Sequence, residues 1–126
     1  MEELPKRMVV IGGGYIGIEL AQILVALGVK VTLLCRSILL RFMDRDIIEM
    51  LMSEMSKLGM TVRTDSPHEG VYKQDDGSYT VKLASGEEIN CDQCLVAMGR
   101  PPLLDGLKLE NTGVVVENGA IKVDEF

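Results

Sequence analysis

The spacing of apolar positions changes along the chain and marks out its elements. Met8 to Ile11 is a short unbroken apolar run ending in Gly12-Gly13-Gly14, the pattern of a buried strand that enters a tight loop. The spacing then lengthens. Ile16, Leu20, Ile23, Leu24 and Leu27 recur at helical intervals, and Gly28 stands where a left-handed C-terminal cap belongs. Val29 to Leu34 reads as a second strand, completing a β-α-β unit of about 30 residues. Asp44 suits the N-cap of a second helix running to Leu58. Ile47, Ile48, Leu51, Met52, Met55 and Leu58 are expected on its buried face, with Gly59 ending it. Thr61 to Thr64 follows as a strand.

From Gly70 the period falls to two. The segments V-Y-K-Q, S-Y-T-V-K-L-A and E-E-I-N-C, separated by turns at Asp76-Gly77 and Ser85-Gly86, predict an antiparallel meander inserted into the α/β pattern. Gln93 to Met98 is a last apolar strand before the loop Gly99-Arg100-Pro101-Pro102, and Asn118-Gly119 signals a hairpin turn near the end. No repeat, linker or low-complexity segment interrupts the pattern, and 126 residues suffice for one core but not two. The expected fold is a single α/β domain over residues 1–126: a parallel sheet with a β-α-β unit and an antiparallel meander.

Composition narrows the function. With 47% hydrophobic and 25% charged residues the chain is far from disorder, and a net charge of -6 excludes a nucleic-acid surface, so any basic site must be local. No basic-then-apolar leader and no apolar run near the ~20 residues of a membrane span are visible, and a cytoplasmic protein without membrane contact is expected. Three cysteines, an odd number, fit a reducing compartment. Cys91-x-x-Cys94 has the spacing of a redox pair, but it falls at the meander's end and on the last strand, with no helix to lower a thiol pKa, so both are read as structural. His68, the sole histidine, lacks partners at zinc-ligand spacing, and the eight methionines read as core filler.

The chemistry lies at two places. Gly12-x-Gly14-x-x-Gly17 between a strand and a helix fits the dinucleotide fingerprint: the first glycine allows the turn, the second admits the pyrophosphate to the backbone, and the third lets helix pack on strand. The pyrophosphate would then meet the N–H groups and positive dipole end of the helix. Units that bind NAD carry Asp or Glu at the end of the second strand, for the ribose 2′-hydroxyl. Here Cys35 takes that place, and Arg36, Ser37 and Arg41 follow, suited to the 2′-phosphate of NADP. S-adenosylmethionine, the competing ligand, would also want the missing carboxylate. Charge-assisted bonds contribute roughly 1.5 to 3 kcal/mol each, so two arginines would favour NADPH over NADH by about 10² to 10⁴.

Four motifs in order, V-I-G-G-G-Y-I-G-I-E-L-A, R-S-I-L-L-R, A-M-G-R-P-P and V-D-E-F, resemble the Rossmann-like NADPH-binding domain of the flavoprotein disulfide reductases, the group of glutathione, trypanothione and thioredoxin reductases. The resemblance implies a homodimeric parent in which NADPH reduces FAD. FAD then reduces a C-x-x-x-x-C disulfide, and that disulfide reduces glutathione, trypanothione or thioredoxin, with a small edge to glutathione. It also implies that Gly13 and Ile16 meet the cofactor through their backbone, that Arg36, Ser37 and Arg41 hold the 2′-phosphate, and that Tyr15 covers the nicotinamide pocket. Glu19 would pair with a lysine of the FAD domain, and Gly99 and Arg100 would touch the nucleotide. Without the resemblance, Tyr15 and Glu19 read as an ordinary helix aromatic and a solvated charge. The FAD fingerprint, the C-x-x-x-x-C and a C-terminal His-Glu pair are not in this sequence. A central domain of a larger FAD-containing reductase, binding cofactor without catalysis on its own, is therefore expected. A free-standing nucleotide-binding module and an NADH-using relative such as dihydrolipoamide dehydrogenase are the alternatives. Two positions depart from the NADP-using pattern: Gly17, often alanine there, and Phe42, where glycine is common.

Overall fold

The computed structural model describes residues 3–125. Strands β1 (Arg7–Ile11), β2 (Lys30–Leu34) and β3 (Thr61–Arg63), with helices α1 (Tyr15–Ala26) and α2 (Arg45–Lys57), form the first half. The meander is β4 (His68–Lys73), β5 (Tyr79–Leu83) and β6 (Glu88–Cys91), and β7 (Gln93–Val96) returns to the first sheet. Four parallel strands lie in the order β3-β2-β1-β7, and the meander makes a separate antiparallel sheet, β4-β5-β6.

Alternation along β1 and β2 builds three layers. Met8, Val10, Val31 and Leu33 face the helices and pack with Ile18, Ala21, Leu24, Ile48 and Met55. Val9, Ile11 and Leu34 face the other way and meet Val81, Leu83 and Cys91 of the meander. Both faces of the parallel sheet are covered, which is why β1 reads as a continuous apolar run rather than an alternation.

The helices show where periodicity misleads. Of the five apolar positions at helical spacing, only Leu24 is buried; Ile16, Leu20, Ile23 and the C-cap Leu27 are exposed, and the face on the sheet is Gly17, Ile18, Ala21 and Leu24. α1 is apolar nearly all round, so its large side chains select no face, and the small Gly17 and Ala21 allow the close approach instead. In α2 the expectation is closer: Ile48 and Met55 are buried with Leu51 and Met52 against them, while Ile47 and Leu58 face outward. The caps agree with the sequence. Asp44 accepts the Asp46 N–H at 2.9 Å, and Gly28 and Gly59 close their helices with φ of +87° and +89°.

The meander begins at His68, two residues before the expected Gly70, with a bulge between His68 and Gly70. β7 stops at Val96 instead of Met98. Beyond Gly99 the described chain holds one 3-10 turn, Leu109–Asn111, and a hairpin of β8 (Val116–Glu117) and β9 (Ala120–Ile121). Asn118 and Gly119 both have positive φ there, as the paired strands require of a two-residue turn. None of these residues is fully buried, and the last residue of V-D-E-F lies outside the described ones. Among the described residues, no helix is long and apolar enough to cross a membrane.

Two ion pairs tie the meander to the parallel sheet, Arg63 with Glu87 and Arg7 with Asp92. Asp92, between β6 and β7, accepts the Arg7 backbone N–H at 2.8 Å and its guanidinium at 2.7 and 3.2 Å, while its own N–H donates to the Arg7 carbonyl. The Arg7 side chain and backbone hold the Asp92 carboxyl below its usual range. A depressed carboxylate pKa stabilises the fold above the unfolded value of about 4, and that contribution is lost as pH falls through the folded value.

Of the two cysteines beside the Arg7–Asp92 pair, Cys91 is buried in the core between the sheets and Cys94 is half-buried against it. Burial pushes the Cys91 thiol up, and burial with Cys91 close by pushes Cys94 up to about 11. A raised thiol pKa means less thiolate at a given pH, so Cys94 in the folded protein should alkylate with iodoacetamide at pH 8 on the order of 10²-fold more slowly than a free thiol. Mass-spectrometric time courses check this, and a rate matching the denatured protein would contradict the buried setting.

Candidate functional site

Register brings three chain exits to one edge. Ile11 of β1 pairs with Leu34 of β2 and with Val96 of β7, so the chain leaves β1 at Gly12, β2 at Cys35 and β7 at Ala97 side by side. These are the carboxyl ends of parallel strands, where a crevice opens in folds of this kind. Backbone bonds stitch the exits together: Gly12 donates to Leu34, Leu40 to Gly13, Cys35 to Arg63, Ser66 to Cys35 and Asp65 to Ser37, all at 2.8 or 2.9 Å. They enclose a cleft of about 620 Å³, lined by residues 12–16, 35–37, 40–42, 66–68 and 97–99, with Ile11, Leu34 and Ile38.

The glycines of the loop do different work. Gly12 has a φ of +134°, and a Cβ there would overlap the Ala97 carbonyl. A Cβ on Gly17 would overlap the Gly12 carbonyl oxygen, so this glycine lets α1 sit directly on the loop. At Gly13 a Cβ would collide with the Cys35 thiol and Leu39. Gly14 is different: its φ is ordinary, and a Cβ would meet nothing within 4 Å. It is the N-cap of α1, no side chain caps the helix, and the first turn carries no acid. The N–H groups of that turn therefore have no side-chain cap, and no acid of the turn opposes the dipole, the setting that favours an anion.

Cys35 is buried, and its thiol points into the loop, donating to the Ile38 carbonyl at 3.2 Å. The place where an acid would reach the cleft is thus filled by a thiol turned inward. Arg36 and Arg41 are exposed on the cleft, and among the described residues neither makes a hydrogen bond or ion pair. Arg7, Arg45 and Arg63 are committed, to Asp92, to three loop carbonyls and to Glu87. Phe42 stacks on Tyr15 with ring centroids 5.2 Å apart at 50°, so the loop after Arg41 is pinned to the start of α1.

Of the residues expected at the site, Gly12, Gly13, Gly14, Tyr15, Ile16, Arg36, Ser37, Arg41 and Gly99 line the cleft together. Gly17 is buried beneath it, and Glu19 and Arg100 are exposed outside its lining. Met98 of the A-M-G-R-P-P motif also lines it, as do Ser66, Pro67 and His68, which carry no motif. The β2–β3 pairing and two loop bonds bring residues 66–68 there, and the S-P-H stretch signals only a turn.

A parallel sheet whose first strand opens through this glycine loop into a helix, with helices on one face and a meander on the other, is a Rossmann-like domain of the dinucleotide-binding class. A sequence profile described as pyridine nucleotide-disulphide oxidoreductase matches residues 1–126, and the chain belongs to that family. It is 43% identical to a dihydrolipoyl dehydrogenase of Thermus scotoductus over 98% of this chain and 28% of that protein. It is 36% identical to a glutathione reductase of Schizosaccharomyces pombe over 100% and 28%. Among solved structures, the HOCl-induced flavoprotein disulfide reductase RclA of Escherichia coli superposes with a TM-score of 0.89 at 30% identity, over 98% of this chain and 28% of that one. The chain spans about a quarter of these relatives, which fall in more than one branch of the family, so the family is established without a substrate.

The unlike surroundings of the glycines separate fold from ligand. Gly12→Ala should lower unfolding free energy by about 3 kcal/mol or more, through strain at positive φ and backbone overlap. Gly14→Ala should lower it by no more than about 1 kcal/mol, through the poorer N-cap alone. Urea denaturation of the two variants measures both, and equal losses would contradict the assignment.

Proposed function

We propose that this chain is the NADPH-binding part of a flavin-dependent disulfide reductase, most similar in role to glutathione reductase, and that it binds cofactor without catalysis on its own. The observation that carries this reading is the end of β2, where a buried thiol replaces the acid and two arginines without partners among the described residues line the cleft. An uncommitted guanidinium beside a helix N-terminus in a protein of net charge -6 is a local anion site.

The residues fit the cofactor along the length of the cleft. N–H groups at Gly14 to Ile16 would receive the pyrophosphate, because nothing occupies the open side of Gly14. Arg36, Ser37 and Arg41 would hold the 2′-phosphate by bidentate and hydroxyl bonds. Gly99 closes the far wall, and Arg100 just beyond it would reach the nucleotide. Tyr15 would shield the nicotinamide end from water, and Glu19 would pair with a lysine of an adjoining FAD domain. Held there, the cofactor would supply hydride to the FAD of an adjoining domain, for reduction of a redox-active disulfide in the parent reductase.

An engineered water-forming NADPH oxidase bound to NADPH, similar to this chain with a TM-score of 0.80 at 26% identity, supports the reading. Its substitutions turn a glycine into alanine and, nineteen and twenty residues later, install arginine and serine just after an aspartate is replaced by alanine. Gly17 stands nineteen and twenty residues before Arg36 and Ser37, with Cys35 in the place of that aspartate. The second arginine installed in the oxidase follows the first by six residues, whereas Arg41 follows Arg36 by five. Gly17 itself and the similarity to dihydrolipoyl dehydrogenase favour a second reading, an NADH-using member of the family.

Calorimetric titration of the chain decides between them. NADPH should bind about 10² to 10⁴ times more tightly than NADH, and Arg36→Ala with Arg41→Ala should abolish the preference. Equal affinities in the unmodified chain would sink the NADPH reading. Gly14→Ala should weaken both cofactors while leaving the fold intact. The purified chain should also be colourless, and a flavin absorption band would contradict cofactor binding limited to the pyridine nucleotide.

A further inference from the structure

The loop that carries Arg36 and Arg41 is held by a third arginine that the functional reading does not use. Arg45 is the first residue of α2, and its side chain turns back so that Nη2 lies 3.0 Å from the Leu39 carbonyl, 3.0 Å from that of Leu40 and 3.2 Å from that of Met43. Two hydrogens serve three acceptors, so at least one bond is shared. The convergence is built. Leu40 takes a φ of +40°, disfavoured for leucine, and its N–H donates to the Gly13 carbonyl at 2.9 Å, tying the loop to the glycine turn. A cation in the first turn of a helix opposes the dipole, and here Asp44 and Asp46 flank it and offset that cost.

We propose that Arg45 is a positioning residue for cofactor selection: by gathering three loop carbonyls it fixes the path on which Arg41 stands, and so places the second guanidinium for the 2′-phosphate. The inference rests on the NADPH reading above. Arg45 does not line the cleft, so its effect on the cofactor passes through the loop. Without its donors, three carbonyls lose their charged partner and Leu40 loses the compensation for its backbone conformation. The loop relaxes around Arg41, while the glycine turn and the N-terminus of α1 are still held by the close backbone approach of Gly12 to Ala97 and of Gly17 to Gly12.

The experiment measures NADPH and NADH affinity of the chain by calorimetry for the unmodified protein, Arg45→Met and Arg45→Lys, with circular dichroism to verify folding. In Arg45→Met, NADPH affinity should fall about tenfold while NADH changes less than about twofold. Arg45→Lys, which keeps a cationic donor, should retain the preference to within about threefold. If Arg45→Met fails to fold, Arg45→Gln is read by the same criterion. An unchanged NADPH to NADH ratio, or an equal loss for both cofactors, would overturn the positioning role. The absence of any preference in the unmodified chain would instead overturn the NADPH reading itself.

Discussion

Gly12 sets its backbone against two neighbours at once, the Ala97 backbone after β7 on one side and Gly17 of α1 on the other, and neither contact leaves room for a Cβ. This double approach decides how α1 lies on the sheet and how β1 and β7 end together. With the exits of three strands fixed within one crevice, the loops that follow have little freedom. Leu40 bonds to Gly13, Ser66 to Cys35, and the walls of the cleft result from these few short contacts. A small residue at Gly17 also explains why α1 rests on its Gly17, Ile18, Ala21 and Leu24 face, although larger apolar side chains lie elsewhere on the helix.

The electrostatics of the cleft depend on what has been left uncommitted. Arg7 and Arg63 are spent on clasps between sheets, and Arg45 on the loop carbonyls. Arg36 and Arg41 remain with Ser37 beside a helix end that carries no acid. In a chain of net charge -6 the long-range field repels a polyanion. Attraction therefore has to be local, from groups within a few ångströms of the ligand, where screening by salt is incomplete. The Cys35 thiol, turned inward onto the Ile38 carbonyl, adds no charge at the end of β2, so nothing at that position offsets the two arginines.

Much of this was legible in the sequence where one residue type has one physical use. The glycine loop, the caps at Asp44, Gly28 and Gly59, the Asn118-Gly119 turn and the buried apolar run of β1 all followed from local rules. The buried face of α1 did not, because a helix apolar on every side has no period to read, and the small residues that choose its face look weakest on any hydrophobic scale. Ser66, Pro67 and His68 were invisible as cleft residues because only the β2–β3 register carries them there. Arg45 was invisible as well: its role is set by carbonyls that converge through an unusual backbone turn at Leu40, which no spacing of side chains announces.

The mixed signals at Gly17 and Arg36 can be reconciled on geometry. Gly17 acts behind the loop, where it touches the Gly12 carbonyl, and it is buried away from the cleft. Arg36 and Arg41 act in front, on the solvent side, and line the cleft. The two features share no contact, so a glycine typical of one cofactor class and arginines typical of the other do not contradict each other. One records how closely a helix packs, and the other records what charge meets the ligand. A cofactor preference assigned from the third glycine alone would rest on packing, whereas one assigned from the end of β2 rests on charged groups that line the cleft.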